Sequence, residues 1–365
     1  MNVSVPKERR PFEYRTGLPP AGVGMFTKHG HTVYVEKDAG EGAGFSDQDY
    51  ANRGAQIVYS CEEVFGRGDL ILKFTRPMYE ELEMMRPGQT IAGFLHFAAT
   101  RQDKIDLLQS KTITSIAYEQ IEESNGFKPI LAPLSQIGGR MVVQIAARLL
   151  QNDHGGRGIL LGGVTGVPPA EVVIVGAGMV GMTAASTFSG VGAHVILLDT
   201  DLRRLQQIQT TEHAPYTTML STPYNLERVV RYADVLIGAV LVPGRRAPIV
   251  VSQEMVAMMK PRSVIIDVSI DQGGCIETSR PTNHGSPTYV EAGVTHYCVP
   301  NISGVLGRTA SNALFNSVYP YLEIIARDGL ENAIENYADI KRGIVTKGGK
   351  ILNLIRLDGT SRSAP

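Results

Sequence analysis

The sequence predicts an α/β protein with two doubly wound, parallel-sheet domains and a cleft between them. Its 365 residues fit about two domains of ordinary size. Short apolar runs rich in valine and isoleucine alternate with segments of helical pattern, which is typical of parallel sheets covered by helices on both faces. In one alternation, over residues 171–199, strand and helix are joined by a three-glycine pattern typical of Rossmann-like domains.

The first third of the chain alternates predicted strands and helices. The predicted strands are Val3–Val5, His31–Glu36, Gln56–Tyr59, Asp69–Phe74, Gln89–Phe97 and Thr112–Ala117. The predicted helices are Pro19–Gly30, Asp47–Gly54 and Cys61–Phe65. The first of these helices stops at a glycine, as a helix end often does. This order of elements predicts the first parallel sheet.

The rest of the chain repeats the alternation. A long helical pattern without proline, Leu134–Leu150, is predicted to lead from the first domain into the second. Buried strands are predicted at Asp234–Ala239 and Ser263–Ile270, beyond the glycine pattern. Arg308–Ala326 is again helical in pattern, and the polar segment after Leu357 is predicted to fray. The predicted interruptions of that last helix are Asn312, Asn316 and Pro320.

Composition disfavours several classes of function. The 35 basic and 36 acidic residues give a formal net charge of −1 without a long basic run, so a nucleic-acid or anionic-membrane partner is not expected. No run of about 18 apolar residues predicts a membrane span, and the N-terminus lacks the apolar core of a signal peptide. Cys61, Cys275 and Cys298 lack CxxC spacing, so we expect small buried thiols, a reducing cytoplasmic setting and no metal site.

The glycine pattern carries the first functional prediction. The apolar run Val172–Val175 is followed by the predicted loop residues Gly176, Ala177, Gly178, Met179, Val180 and Gly181. The first glycine permits the tight turn, the second lets the backbone approach a pyrophosphate, and the third lets the helix pack closely on the strand. A glycine-rich packing turn is the alternative. The strand, the helix, the second strand and its terminal acid all favour dinucleotide binding instead.

The acid at the end of the second strand predicts which dinucleotide binds. Asp199 closes the apolar run His194–Leu198. Its carboxylate can accept hydrogen bonds from both ribose hydroxyls and would repel a 2′-phosphate. We therefore expect NAD rather than NADP as the cofactor.

Longer motifs run through nearly the whole chain. They are HTVYVEKDAGEGAGFSD at 31–47, FLHFAA at 94–99, SIAYE at 115–119, LAPLSQIGGR at 131–140, GGRGILLGGVTGVPPA at 155–170, GAVLVPGRRAP at 238–248, DQGGCIETSRPT at 271–282 and HYCVPNISGVLGRT at 296–309. Together they resemble the alanine dehydrogenase family, with the alpha subunit of pyridine nucleotide transhydrogenase as a more distant relative.

The resemblance implies an NAD-dependent enzyme that interconverts an amino acid with its 2-oxo acid and ammonia by hydride transfer. It implies an NAD-binding domain at residues 129–307. A discontinuous substrate domain is implied at residues 1–128 plus 308–365. The family is also hexameric, so a homo-hexamer is implied, and the segment Tyr319–Tyr321 is predicted to contribute apolar contact surface.

Residues at matching positions imply the catalytic chemistry. Arg15 matches the arginine that holds the substrate carboxylate, for which its planar fork of donors is suited. His96 matches a residue that exchanges a proton with a carbonyl oxygen near neutral pH. Asp271, at the end of the predicted strand 263–270, can activate water or ammonia toward an imine carbon, whereas Asp267 is expected to be a structural carboxylate. Without the resemblance, Arg15 and His96 would be interpreted as a surface arginine and a structural histidine.

Further matching positions imply contacts with the cofactor. Ser135 is implied near the phosphate or nicotinamide, and Arg204 near the adenosine end. The positions implied along the ribose and nicotinamide are Val240, Leu241, Asn301 and Ile302. Tyr118 and Glu119 fall in the SIAYE motif, where a packing role for the tyrosine is equally compatible with the sequence.

The chain departs from the family pattern where a second cation binds the substrate. The family's run Lys-x-Lys-Glu-Pro is here Lys73-Phe74-Thr75-Arg76-Pro77. The second lysine of the motif binds substrate, and Thr75 cannot supply its charge. Strand alternation would put Lys73 on the same face, about 6–7 Å away, and Arg76 on the opposite face unless the strand has ended. Either cation is a candidate to compensate, so Lys73 and Thr75 join Arg15 as predicted substrate-binding residues.

These observations leave three hypotheses. The first is an alanine dehydrogenase, and the second is a relative that acts on a different oxo or imino substrate. The third is a catalytically inactive NAD-binding homologue with an assembly or regulatory role. Thr75 argues against the first hypothesis, while the presence of both His96 and Asp271 argues against the third.

Overall fold

The computed structural model describes residues 1–97, 100–212, 215–242 and 245–354. The chain divides into two compact units. One, here called the terminal unit, contains residues 1–134 and the chain from residue 303 onward. The other, here called the middle unit, contains residues 135–302. The tail after Leu357, which the sequence predicts to fray, lies outside the described residues.

The terminal unit is built on one mixed sheet. Its strands are β1 (Asn2–Val5), β2 (Thr32–Glu36), β3 (Gln56–Val58), β4 (Leu70–Leu72), β5 (Thr90–Gly93), β6 (Thr114–Ala117), β14 (Ile344–Lys347) and β15 (Lys350–Ile351). Their order in the sheet is β15-β14-β6-β5-β4-β1-β2-β3. The strands β1 to β6 all run parallel to one another. The last two strands pair antiparallel, so the C-terminal part of the chain completes a sheet that the N-terminal part begins.

Helices cover this sheet. They are α1 (Pro20–Lys28), α2 (Asp47–Ala51), α3 (Cys61–Arg67), α4 (Tyr79–Met84), α5 (Gln102–Ser110), α11 (Gly307–Asp328), α12 (Leu330–Asn336) and α13 (Ala338–Arg342), while α6 (Leu131–Leu149) runs from this unit into the other. Part of the core joins Phe65 and Leu82 of two helices to Ile71, Ile91 and Val345 of three strands. Burial of these side chains is what holds helices onto the sheet.

The middle unit contains a second, mostly parallel sheet. Its strands are β7 (Glu171–Val175), β8 (His194–Asp199), β9 (Thr217–Leu220), β10 (Val235–Gly238), β11 (Val264–Asp267), β12 (Thr288–Glu291) and β13 (Val294–Tyr297). Their order is β12-β13-β11-β10-β7-β8-β9, with only the β12–β13 pair antiparallel among the described strands. Its remaining helices are α7 (Met179–Gly190), α8 (Leu202–Glu212), α9 (Pro223–Val230) and α10 (Gln253–Ala257).

In each sheet, the chain adds strands first on one side of the unit's first strand and then on the other, so the strand order reverses at that strand. In the terminal unit the reversal lies between β1 and β4, and in the middle unit between β7 and β10. The loops that leave these neighbouring strands diverge to opposite faces, which opens a crevice at the carboxyl ends of the strands. Ligands of doubly wound sheets bind at such points, so each unit has one position that its topology favours for a site.

The predicted α/β class with two mostly parallel sheets is confirmed. One prediction within it is wrong: α11 is a continuous helix despite Pro320. Buried Leu314, Val318, Leu322 and Ile325 hold the helix together on one side, and their burial outweighs the roughly 3 kcal/mol that an internal proline costs. The sequence analysis did not predict the strands β9 and β12–β15 or the helices α4, α5, α8, α9, α10, α12 and α13, most of which are shorter than ten residues.

The described helices include none that is long and apolar enough to cross a membrane.

Candidate active site

The glycine loop of the middle unit connects β7 to α7 at the reversal point of the sheet. Gly176 has a φ of +105°, which disfavours any residue with a Cβ, and a Cβ there would also overlap the carbonyl oxygen of Ala239. A Cβ on Gly181 would overlap the carbonyl oxygen of Gly176. A Cβ on Gly178 would meet nothing within 4 Å. The three glycines thus provide a turn, an open approach and a close contact, in that order.

The N-terminus of α7 is suited to an anion. The helix begins after Gly178 and has no side-chain cap, so its first N–H groups have no side-chain acceptor at that end. Unsatisfied N–H groups and the positive end of the helix dipole together favour a phosphate. With open space beside Gly178, this loop fits the pyrophosphate of a dinucleotide.

Asp199 lies at the end of β8 and is held beside the same loop. Its side chain is buried, and it accepts hydrogen bonds from the backbone N–H groups of Ala177 at 2.7 Å and Asp201 at 2.9 Å. The guanidinium of Arg204 lies 3.4 Å from the carboxylate. A carboxylate fixed at this strand end is placed to accept ribose hydroxyls.

The other candidate cofactor residues lie on several different elements of the middle unit. The Val240 N–H donates to the Ser269 hydroxyl at 2.9 Å, and Leu241 is exposed. Pro243 and Gly244 of the same motif lie outside the described residues. Ser135 lies half-buried on α6, and Ile302 is buried at the start of a short 3₁₀ helix.

Asp271 lies beyond the strand that was predicted to end at it. β11 stops at Asp267, and Asp271 belongs to a 3₁₀ helix, Val268–Gln272, that follows. The exposed carboxylate accepts from the backbone N–H of Asn301 at 3.2 and 3.4 Å. Asn301 itself has a φ of +55°. A non-glycine residue held in this region is uncommon and frequent at functional sites.

Asp267 has the structural role that the sequence indicates. It is buried and accepts from the N–H groups of Ser269 at 3.0 Å, Cys275 at 2.9 Å and Ile276 at 3.2 Å. Burial raises its pKa, although these hydrogen bonds to the charged form oppose the shift. It therefore fixes the loop that carries Asp271.

Arg15 is buried in the terminal unit. Glu13 accepts from its Nε at 2.5 Å and from its Nη2 at 2.6 Å, and Nη1 donates to the Ser303 hydroxyl at 2.9 Å. The guanidinium lies 3.9 Å from the centroid of the Phe74 ring. This bidentate pairing and stacking fix the plane of the guanidinium, as carboxylate recognition requires.

Lys73 occupies a buried ion cluster at the reversal point between β1 and β4. Its ammonium group lies 2.8 Å from Glu81 and 3.0 Å from Glu8. The Lys73 side chain is 1% exposed, and both glutamates are 2% exposed. Burial lowers the pKa of Lys73, but the two carboxylates outweigh this effect and raise it, while burial raises the pKa of Glu8.

This cluster changes the interpretation of the Lys73–Pro77 segment. β4 ends at Leu72, so strand alternation does not decide where the next side chains lie. Lys73 is committed to two internal carboxylates, and reaching a substrate would leave those carboxylates buried without a cation. Thr75 is buried, and its N–H donates to Glu8 at 3.3 Å. That Lys73 or Arg76 compensates for the lysine of the family pattern stays a prediction, and for Lys73 it would require the ammonium group to leave these carboxylates.

His96 is exposed and lies beyond β5 with a φ of +46°. Glu119 holds this conformation, because its carboxylate accepts from the N–H groups of His96 at 2.6 Å and Leu95 at 3.2 Å. The imidazole stacks on Phe94 with a centroid distance of 6.1 Å. A strained backbone that is held by a dedicated carboxylate points to a functional role for the ring.

A row of aromatic rings connects Arg15 to His96 in the terminal unit. Phe74, against which Arg15 packs, contacts Phe94 at a centroid distance of 5.8 Å, and Phe94 stacks on His96. Arg15, Thr75 and His96 thus lie along one edge of this sheet. Sequence reasoning missed Glu8, Glu13 and Glu81, because nothing in the local pattern shows that these glutamates are buried and need an internal partner.

Comparison with known proteins identifies the family. The family model described as "Alanine dehydrogenase/PNT, N-terminal domain" matches residues 4–138, and the C-terminal domain model matches residues 142–354. The chain is 44% identical over 352 residues to an alanine dehydrogenase of Methanococcus maripaludis, covering 96% of this chain and 94% of the relative. It is 41% identical over 353 residues to that of Mycobacterium tuberculosis, covering 97% and 95%.

Comparison with solved structures points to the same family as the sequence relatives do. An L-alanine dehydrogenase matches with a TM-score of 0.92 and 43% identity over 96% of this chain and 97% of that one. A transhydrogenase from Sinorhizobium meliloti shares the fold, with a TM-score of 0.81 and 24% identity over 96% and 99%. The chain belongs to the alanine dehydrogenase/PNT family, which confirms the resemblance in its sequence. It is an NAD-dependent oxidoreductase of the alanine dehydrogenase type.

The buried cluster predicts the effect of removing its cation. Lys73→Met should lower the free energy of unfolding by about 3–5 kcal/mol, because two buried carboxylates lose their counter-charge. Urea unfolding followed by circular dichroism measures the change. Lys7→Met is the matched control, since Lys7 pairs at 3.9 Å with an exposed Glu41 and should cost at most about 1 kcal/mol. Equal stability of the two variants would contradict the structural role of Lys73.

Proposed function

We propose that this protein interconverts an amino acid with its 2-oxo acid and ammonia, and that its preferred substrate is bulkier than alanine or pyruvate. In the aminating direction, a 2-oxo acid, ammonia, NADH and a proton give the amino acid, water and NAD⁺. The observation that carries the proposal is the alignment of Arg15, Thr75 and His96 along the sheet edge of the terminal unit.

The two units have separate roles in this proposal. The middle unit binds the dinucleotide through Gly176–Gly181 and Asp199, because its loop fits a pyrophosphate and its acid fits a ribose. The terminal unit binds the substrate. Bound NADH supplies the hydride, and the chain's own residues orient the substrate and move protons.

Three side chains carry the chemistry. Arg15 binds the substrate carboxylate, and Glu13 and Phe74 keep its guanidinium in a fixed plane. His96 donates a proton to the oxygen that leaves as water and takes it back in the reverse direction. Asp271 activates ammonia in one direction and water in the other. Since a residue of the right type stands at all three positions, an inactive homologue is not favoured.

Thr75 favours a substrate other than pyruvate. A lysine at this position would contribute a charged contact to the substrate carboxylate, worth about 1.5–3 kcal/mol. Threonine removes that contact and has a shorter side chain than lysine. A small substrate then loses orientation, on which the rate depends strongly. A larger substrate can use the space.

His96→Ala should lower kcat by about a hundredfold or more, which is the usual effect of losing a positioned proton-transfer group. Steady-state oxidation of NADH with ammonia and a panel of 2-oxo acids measures it, and isothermal titration should give an unchanged Kd for NADH. His29→Ala, at an exposed histidine of the same unit, is the control. Wild-type turnover by the His96 variant would exclude the assigned role.

Thr75→Lys should raise kcat/KM for pyruvate by roughly tenfold to a hundredfold, since the charged contact is restored. Thr75→Val, which changes shape little and adds no charge, should leave that value near the wild-type one. The same NADH assay compares the three proteins. If the wild-type chain already aminates pyruvate as fast as Thr75→Lys does, pyruvate is its substrate and the proposed shift in specificity fails.

We also propose a homo-hexamer. Leu160, Val164 and Val167 are exposed apolar residues of the loop before β7, and monomers seldom leave such clusters uncovered. Tyr319, in the segment predicted to contribute contact surface, is 37% exposed. Light scattering at micromolar concentration should give six times the chain mass, and a monomer would refute the assembly. The cytoplasmic location stays a prediction.

A further inference from the structure

Three cations converge on the backbone that directly follows Thr75. Arg10, from the loop after β1, donates from Nε to the carbonyl oxygen of Arg76 at 3.2 Å. Lys104, in the first turn of α5, donates from Nζ to the carbonyl oxygen of Pro77 at 2.8 Å. Together with the exposed side chain of Arg76 they form what we call the basic cluster.

Among the described residues, the acids near the basic cluster form no salt bridge with it. Neighbouring cations are paired: Arg9 with Glu36, and Arg101 with Asp103. Across the part of the chain that the structure describes, no salt bridge involves a member of the basic cluster. The nearby buried acids are already engaged, Glu8 and Glu81 with Lys73 and Glu13 with Arg15.

The pKa shifts of Arg10 and Lys104 show that the positive charges of the basic cluster affect one another. Burial and the positive charge of Arg76 lower the pKa of Arg10, and they outweigh the opposing effect of Glu81, Glu8 and Glu13. Burial and the charges of Arg10 and Arg76 likewise lower the pKa of Lys104, against a smaller opposing effect of Asp103 and Glu80. Like charges held this close repel one another, and a bound anion would relieve that repulsion.

The sequence pattern places the cluster in the substrate region. In the segment that the sequence resemblance aligns with Lys-x-Lys-Glu-Pro, Thr75 is uncharged and a cation, Arg76, directly follows it. The cluster also joins the two segments that carry candidate active-site residues. Arg10 lies five residues before Arg15, and Lys104 lies eight residues after His96.

We propose that the basic cluster binds a second anionic group of the substrate, so that the preferred 2-oxo acid carries a carboxylate at its far end. This inference rests on the proposed function and specifies its substrate class. Arg15 holds the carboxylate next to the reacting carbon, and the small Thr75 leaves space for the chain that leads to the second carboxylate.

The test compares substrates of equal length that differ in one charge. Reductive amination with NADH and ammonia is measured for oxaloacetate against 2-oxobutyrate, and for 2-oxoglutarate against 2-oxovalerate. The diacid of at least one pair should have a kcat/KM at least tenfold higher than its monoacid. If both monoacids are equal or better, the inference is overturned while the proposed function stands.

Variants assign the selectivity to the cluster. Arg76→Glu, which reverses the charge, and Lys104→Gln should each lower the diacid-to-monoacid ratio at least tenfold, because the diacid loses an attractive charge that the monoacid does not use. Arg101→Gln, at an exposed and paired arginine beside the same helix, should leave the ratio unchanged. An unaltered ratio in both cluster variants would place the selectivity elsewhere and refute the inference.

A binding measurement separates the failure of this inference from failure of the proposed function. Glutarate, a dicarboxylate without a reacting carbonyl, is titrated into the enzyme–NADH complex by calorimetry, with butyrate as the single-charge reference. Tighter binding of glutarate that Arg76→Glu abolishes would support the cluster even in a chain that turned over no oxo acid. Equal or absent binding of both acids, together with no turnover, would overturn both proposals.

Discussion

The ammonium group of Lys73, buried between Glu8 and Glu81, is the interaction on which the edge of the terminal unit depends. Glu8 comes from the loop after β1, Lys73 directly follows β4, and Glu81 belongs to α4, so one charge joins three segments. Glu8 also accepts from the Phe74 N–H at 2.6 Å. Because Phe74 supports Arg15 and contacts Phe94, the orientation of the candidate active site follows from this cluster.

A buried ion pair of this kind adds little net stability, but removing one partner is costly. The cluster therefore fixes geometry more than it adds to the free energy of unfolding.

The two units share a type of strand topology, but different chemical groups line the crevice in each. Each sheet reverses its strand order beside its first strand and opens a crevice there. In the middle unit the crevice is lined by backbone, and glycines let a diphosphate approach a helix N-terminus. In the terminal unit it is lined by paired charges and aromatic rings. A cofactor common to many enzymes needs only the backbone, whereas a particular substrate needs particular side chains, and Thr75 and Arg76 belong to this second crevice.

A positive φ occurs at one candidate proton-transfer residue, His96, and at Asn301, the hydrogen-bond partner of the other, Asp271. In each case a carboxylate accepts the N–H group of the strained residue, Glu119 for His96 and Asp271 for Asn301. These hydrogen bonds offset a strain of about 1–3 kcal/mol. The sequence gives no sign of it, since histidine and asparagine adopt many conformations.

The sequence by itself determined the family, the parallel-sheet class and the dinucleotide loop. These features are local: Gly176 and Gly181 are required by backbone conformation and close contact within a few residues, and apolar runs identify buried strands. Only the tertiary structure decided that Lys73 is committed to Glu8 and Glu81, and that Arg10 and Lys104 donate to the backbone after Thr75. It also decided that β14 completes the first sheet and that α11 continues through Pro320. The physical reason is the distance along the chain between the residues that interact. Charge pairing and burial depend on residues that are far apart in the chain, and a pattern along the sequence carries no information about which of them meet.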